Sequence, residues 1–486
     1  MISDGFGVAS ESMARTYMQQ TRGLDAEWGS ILDSTLRGTV RTKSSDSLVT
    51  DSAAGATVYS CGGIKTYNGA IGVDSRGQPC GTIMEAAKAR GYVTGIVTTS
   101  RITHATPAAF AAHVEHRDME DLIAMQMIGH NLTSDSRPAA DLMYGGGLCH
   151  FLPQGSEHSC RDDSTDAWAL AQRAGFTTIS SLEQFRALQG AGGESTGARP
   201  LREGAPVLAL FSGSHMAYEM DRNPREQPSL TEMTRTALRQ LEQLANSTAG
   251  SPGFFVMIEG ARIDHAGHDN DPAAHLHDIV EYWNAVAAVR DYVSAHPDTL
   301  MVATSDHETG GLALGIDPEY VWYPEVLKPV RRSAELICKD LKALDSDDDD
   351  NDSSVAADAR SNILPKLLGI KHPTDAEVDR VVAAAAAKSA AECKMAIGGI
   401  VSRRAHIGWS TGGHTGTDVG LYACGHHASA VRGNMENTQV GRLLAEYLRV
   451  DTAPITQSLA GVGTKQPGAF ARQATHHIHD HDYGRK

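Results

Sequence analysis

Residues 253–271 read GFFVMIEGARIDHAGHDND. The apolar run FFVMI between glycines has the length and composition of a strand buried on both faces. It ends on a carboxylate, Glu259, and the next turn of chain carries Asp264, His265 and His268. Pro272 follows Asp271 and suits the first turn of a helix. That helix is expected over 272–295, with Leu276, Ile279, Val280, Trp283, Val286 and Val293 on one face. The stretch is therefore a strand, a segment rich in ionisable groups, and a helix.

The unit recurs along the chain. GYVTGIVTTS (91–100), VLALFSG (207–213) and TLMVATSD (299–306) read as further buried strands of a mainly parallel sheet. A second helix is expected over 230–245, with Ser229 as its N-cap. Strands alternating with helices predict an α/β fold, a three-layer sandwich around a mainly parallel central sheet. At 486 residues and 41% hydrophobic, the chain has ample material for a large core.

Two regions break the rhythm. Residues 312–404 read as an inserted cap, with a solvated acidic loop, DSDDDDNDSS (345–354), and an Ala-rich helix over 382–391. Residues 451–486 read as a flexible tail ending in HHIHDHDYGRK. The expectation is one catalytic domain over 1–450. Asp4 lies on an Asp-Gly turn behind only three residues, so the strand that should lead to it, with any signal or anchor, is expected upstream of this chain.

The net charge of −16 argues against nucleic acid or an anionic membrane as a partner. No run of 18 apolar residues marks a membrane span. Seven cysteines without a C-x-x-C pair argue against a thiolate zinc site. Cys61 with Cys80, and Cys149 with Cys160, are possible pairs that spacing alone does not decide. Sequons at Asn131, Asn246 and Asn351 lean toward a secretory route.

The strand ends carry the chemistry. Asp4, Glu259, Asp264, His265, His268, Asp306 and His307 all follow apolar runs, and His414 sits in the Gly-rich IGWSTGGHTGTD (407–418). In open parallel sheets, ligands bind at the carboxyl ends of strands. Acids gathered there need cations beside them. Mixed oxygen and imidazole donors suit zinc, and all-oxygen donors suit magnesium. LVTDSAAGATVYS (48–60) adds a hydroxyl. Ser52 is expected to follow an apolar strand and open a helix, whose N–H groups attract an anion. The small residues behind it leave room for a tetrahedral one. Asp51-Ser52 also fits a plain N-cap. No Gly-x-Ser-x-Gly elbow is present, which favours activation of the serine by a metal.

SDGFG, VTDSAAGAT, ITHATPAAFAAHVEHR, EGARIDHAGHDND, TSDHETGG and GGHTGTD occur in this order from residue 3 to residue 418. On these motifs the chain resembles the alkaline phosphatase family from Asp4 to about Val450. RTKSSDSLVTDSAAGAT and YNGAIGVD are similar to the fungal vacuolar branch of that family. The resemblance implies hydrolysis of small phosphomonoesters with broad specificity, through a phosphoserine at Ser52. It implies two zinc ions, one held by Asp264, His268 and His414, the other by Asp306, His307 and Asp4. It implies one magnesium ion at Asp4, Thr106 and Glu259, with His104 in its outer shell. Arg117 and His265 would bind phosphate, Arg117 from near the end of a helix begun at Pro107. A homodimer, and a vacuolar or secretory location reached through an upstream targeting segment, are also implied. The nearest alternatives are a related phosphodiesterase, sulfatase or phosphoglycerate mutase; Ser52, Arg117 and the three-metal set favour monoesters. A non-catalytic metal-binding protein is the alternative from another class.

Overall fold

The computed structural model describes residues 1–130, 132, 137–188, 205–344 and 351–464. Five parallel strands form one side of the sheet. They are β2 (Val93–Arg101), β3 (Leu142–Gly146), β4 (Thr177–Ile179), β5 (Val207–Leu210) and β6 (Phe254–Glu259), in the order β4-β5-β3-β2-β6. The other side is β13-β1-β12-β7, from β1 (Leu36–Arg41), β7 (Leu300–Thr304), β12 (Val419–Gly425) and β13 (Gly433–Glu436). Ile2 joins the two, bridging Glu259 and Thr304 in parallel. The sheet is mainly parallel, as expected, but β12 runs antiparallel to both β1 and β7.

Each face of the sheet has its own core, and strand alternation divides the residues between them. Val97 and Ile258 pack with Leu238, Leu241, Ile279 and Val286 of helices Leu230–Ser247 and Pro272–Ala295. Their neighbours Ile96 and Met257 pack on the opposite face with Ala53, Val58, Met84 and Val440. The result is the expected three-layer sandwich.

Residues 315–406 leave and return through paired strands: β9 (Leu312–Leu314) lies against β10 (Ile407–Trp409). Likewise β8 (Glu308–Thr309) pairs with β11 (His414–Thr415), which brings His414 back to the sheet edge. The Ala-rich run is two helices, Asp375–Ala385 and Ala390–Ala405. Ser389 breaks it by capping the second, accepting from Glu392 N. Residues 351–354 of the acidic run open helix Asn351–Asp358 instead of a loop, and 345–350 lie outside the described residues.

Three further expectations change. Leu48–Thr50 is a bend and no strand, with Leu48 80% exposed. The helix begun near Pro107 ends at Ala108, because Val114 turns to bridge Ile71 and Arg117 N donates to Gly69 O. The tail is folded over Ala453–Ser458, where Gly81 N donates to Thr456 Oγ1 at 2.8 Å; the histidines at 476–481 lie outside the described residues. Cys61–Cys80 and Cys149–Cys160 are disulfides, and Cys338–Cys393, which spacing did not suggest, is a third. Among the described residues, no helix is long and apolar enough to cross a membrane.

Candidate active site

Four parallel segments end at one edge of the sheet. β6 stops at Glu259, and residues 1–3 lead to Asp4. β7 runs into Asp306 and His307, and β2 into the turn that ends at His104, the N-cap of the short helix Ala105–Ala108 that carries Thr106. Gly5 has φ +70°, and a Cβ there would meet Asp264 Cα at 2.6 Å. Only glycine therefore lets Asp4 lie so close to helix Arg262–His268, which carries Asp264.

Ser52 is the first residue of helix Ser52–Ser60. The cap is Asp51, whose Oδ1 accepts from Ala54 N at 3.0 Å. That leaves the serine side chain to face the acids. Ser52 Oγ donates to Asp4 Oδ1 at 3.3 Å and lies 3.0 Å from His307 Nε2. The small residues behind Ser52 have a use: a Cβ on Gly55 would stand 3.0 Å from Asp306 Cβ.

The expected ligand sets converge. His268 Nε2 lies 3.3 Å from Asp264 Oδ2, and His414 Nε2 lies 3.1 Å from His268 Nε2 and 3.6 Å from Asp264 Oδ1. His307 Nε2 is 3.5 Å from Asp4 Oδ1 and 3.3 Å from Asp306 Oδ2. Thr106 Oγ1 donates to Asp4 Oδ2 at 3.5 Å, and Glu259 receives the Thr98 hydroxyl beside them.

The electrostatics are those of acids short of positive charge. Burial, followed by the neighbouring Asp264, pushes Asp306 up to about 7. Burial does the same to Glu259, and with Asp306 and Asp264 holds Asp4 well above the usual carboxylate range. Asp264 goes the other way: burial would raise it, but His268, His414 and His307 outweigh burial and hold it well below. Glu259 Oε1 and Asp306 Oδ2 are buried without a hydrogen bond. His268 Nδ1 donates to Gly412 O at 2.7 Å and His414 Nδ1 to Thr50 O at 2.8 Å, so each Nε2 turns a lone pair inward. These residues fit divalent cations.

Arg117 sits on a loop. Its guanidinium donates to Asp51 Oδ2 at 3.3 Å and to His104 Nε2 at 3.0 Å. His104, His215 and His265 form a second imidazole cluster beside it. Arg101 reaches His215 Nε2 and Arg262 reaches His265 Nδ1, both at 2.7 Å. Sequence reasoning missed Asp51 as the anchor of Arg117. It also missed Thr309, which donates to Asp264, and His215. Thr309 had a signal: it stands two residues after His307, on the same face of an extended segment. His215 had none.

The fold and the donor sets define an α/β enzyme whose serine hydroxyl lies among groups of the kind that ligate divalent cations. The family model for alkaline phosphatase matches residues 1–450. The repressible alkaline phosphatase of Saccharomyces cerevisiae is 39% identical over 94% of this chain and 81% of its own length. The alkaline phosphatase of Schizosaccharomyces pombe is 40% identical, over 94% and 82%. The crystal structure of a cold-active alkaline phosphatase from a psychrophilic Shewanella superposes with a TM-score of 0.74 at 30% identity, covering 92% of this chain and 98% of that one. The chain belongs to the alkaline phosphatase family, and its activity is that of a phosphoric monoester hydrolase.

Proposed function

We propose that the chain hydrolyses a broad range of phosphate monoesters through a phosphoserine at Ser52. The observation that carries this is the Ser52 hydroxyl at a helix N-terminus, 3.0 Å from His307 and 3.3 Å from Asp4. Ser52 Oγ attacks phosphorus as the bond to the leaving oxygen breaks, and its proton departs on the side of Asp4. The helix N–H groups and Arg117, held by Asp51, face the equatorial oxygens. Water then releases phosphate from the serine. Asp264, His268 and His414 would hold one zinc ion, Asp306, His307 and Asp4 a second, and Asp4, Thr106 and Glu259 a magnesium ion. When bound, these ions would supply charge neutralisation for the ionised serine and the leaving oxygen. His265 would orient phosphate and His104 stand outside the magnesium site. Residues 312–404 would cap the catalytic domain of residues 1–450. A homodimer and a vacuolar or secretory location complete the reading.

The test is a comparison of p-nitrophenyl phosphate, its bis-ester and the sulfate, with acid trapping of labelled phosphate. The monoester should be fastest and the label should sit on Ser52. In Ser52→Ala the label should vanish and the rate fall on the order of 10⁴-fold or more. A diester or sulfate rate equal to the monoester rate, or a label surviving the substitution, would refute the reading.

A further inference from the structure

The inserted residues 315–406 reach back toward the site through a buried arginine. Arg262 opens the helix that carries Asp264, His265 and His268, and it is 1% exposed. Its Nη1 donates to His265 Nδ1 at 2.7 Å and its Nη2 to Glu335 Oε2 at 2.7 Å. Glu335 belongs to helix Ala334–Leu344 of the insert. A guanidinium is a rigid plane, so fixing one prong fixes the other. Tyr218 holds that plane from its face: the guanidinium carbon stands 3.8 Å from the centroid of the ring. The tyrosine hydroxyl donates to Asp269 Oδ2 at 3.0 Å, and Lys394 of helix Ala390–Ala405 pairs with Asp269 Oδ1 at 2.7 Å. The two insert helices are themselves tied. Cys338 lies one turn along from Glu335, Cys393 is next to Lys394, and the two cysteines form a disulfide. Arg262 has a second acid within electrostatic reach, the buried Asp278.

We propose that Glu335 is a positioning residue for phosphate binding, acting through Arg262 on His265. This rests on the reading of His265 as a group that orients phosphate. Because Arg262 only donates, His265 Nδ1 accepts and Nε2 carries the proton. The ring is thereby held as a donor, the form that a phosphate oxygen requires. Without Glu335 the buried cation turns to Asp278, and the prong that sets His265 turns with it. Affinity for phosphate is in this way set from the insert.

The probe is inorganic phosphate, titrated into the full chain by calorimetry and used as a competitive inhibitor of p-nitrophenyl phosphate hydrolysis. In Glu335→Ala the phosphate Kd, its inhibition constant and KM should rise together about fivefold, with kcat within about twofold of wild type. His265→Ala should raise the phosphate Kd at least as much. In that background Glu335→Ala should add nothing, since its effect passes through His265. Glu377→Ala, which breaks an ion pair with Arg404 inside the insert, should leave the Kd unchanged. If Glu335→Ala does not fold, Glu335→Gln, which keeps an acceptor but loses the charge, should still raise the Kd about twofold. An unchanged Kd in a folded Glu335 variant or in His265→Ala would overturn the proposal. So would an equal rise with and without His265, or an equal rise in Glu377→Ala, either of which would make the contact merely structural. Acid-trapped label on Ser52 should persist in every variant. Its absence from the wild type would overturn the phosphoserine reading instead, so the two failures are distinct.

Discussion

Two clusters of three imidazoles lie at the same edge of the sheet, and they are built for opposite tasks. In His268 and His414 the Nδ1–H donates to a backbone carbonyl, which sets Nε2 as a lone pair beside Asp264. In His104, His215 and His265 one nitrogen faces the guanidinium of Arg117, Arg101 or Arg262. A guanidinium only donates, so that nitrogen must accept; in His104 and His265 the other then carries the proton, whereas His215 Nδ1 also faces a donor, Arg101 N at 3.2 Å. A cation needs a lone pair where that proton sits. His104 is accordingly held well below the usual histidine range, by burial first and then by Arg117 and Arg101. What the second nitrogen faces, more than the number of histidines gathered, separates a ligand set from a neutral, donor-bearing wall.

Removing one histidine from each cluster is the sharpest way to break this contrast. His414→Ala should lose on the order of 10³-fold in kcat/KM and one equivalent of divalent metal by metal analysis of the purified protein. His215→Ala should leave the metal content unchanged. If the two variants lose metal alike, the distinction drawn from the second nitrogen fails.

The guanidiniums behind the second cluster are themselves anchored. Arg101 makes a two-pronged contact with Glu120, which also receives the Thr103 hydroxyl. Burial would raise Glu120, but Arg101 and His150 outweigh it and hold it far below the usual range. Glu120→Gln leaves the half-buried Arg101 guanidinium without its carboxylate and should cost about 3 kcal/mol in denaturant unfolding. A loss below about 1 kcal/mol would show that the wall does not depend on this pair. Arg117→Lys keeps the charge but loses the fork shared between Asp51 and His104. It should lower kcat/KM by about 10–100-fold and weaken competitive inhibition by phosphate in step. Unchanged phosphate inhibition would remove Arg117 from the phosphate site.

Much of this edge was legible before any coordinates, and the reasons are local. A buried apolar run that ends in an acid can place that acid only at the strand terminus, so Glu259 and Asp306 could be located from the chain alone. Asp264 and His268, four apart, share a helix face by the same kind of rule. The resemblance put Arg117 among the expected phosphate-binding residues, but its setting was not legible. Its position depends on Val114 bridging Ile71, a contact across the fold with no periodic trace. β12 was missed because its strand follows a Gly-rich loop, and its reversal depends on its neighbours β1 and β7. His215 and Arg262 reach the second cluster only through tertiary packing.

The smallest effect tests the same rule on a carboxylate. Asp264 is held down by the imidazoles around it, whereas Glu11, also buried, has mainly neutral donors: the Ser30 hydroxyl and Trp283 Nε1. Arg15 stands 3.9 Å away and is partly exposed. Burial therefore wins, and Glu11 is pushed up to about 7 despite those hydrogen bonds. In the unfolded chain the same group titrates near 4.5. Below that pH both states hold the proton and the full stability is present. Between about 4.5 and 7 the unfolded chain has released its proton and the folded one has not, so stability falls as pH rises. The loss is at most about 3 kcal/mol and is complete above the folded value. Glu11→Gln should remove this slope, gaining on wild type between pH 5 and pH 8 in urea unfolding. An unchanged slope in the variant would mean that Glu11 is ionised in the folded protein, and that neutral donors alone can hold a buried acid in its charged form.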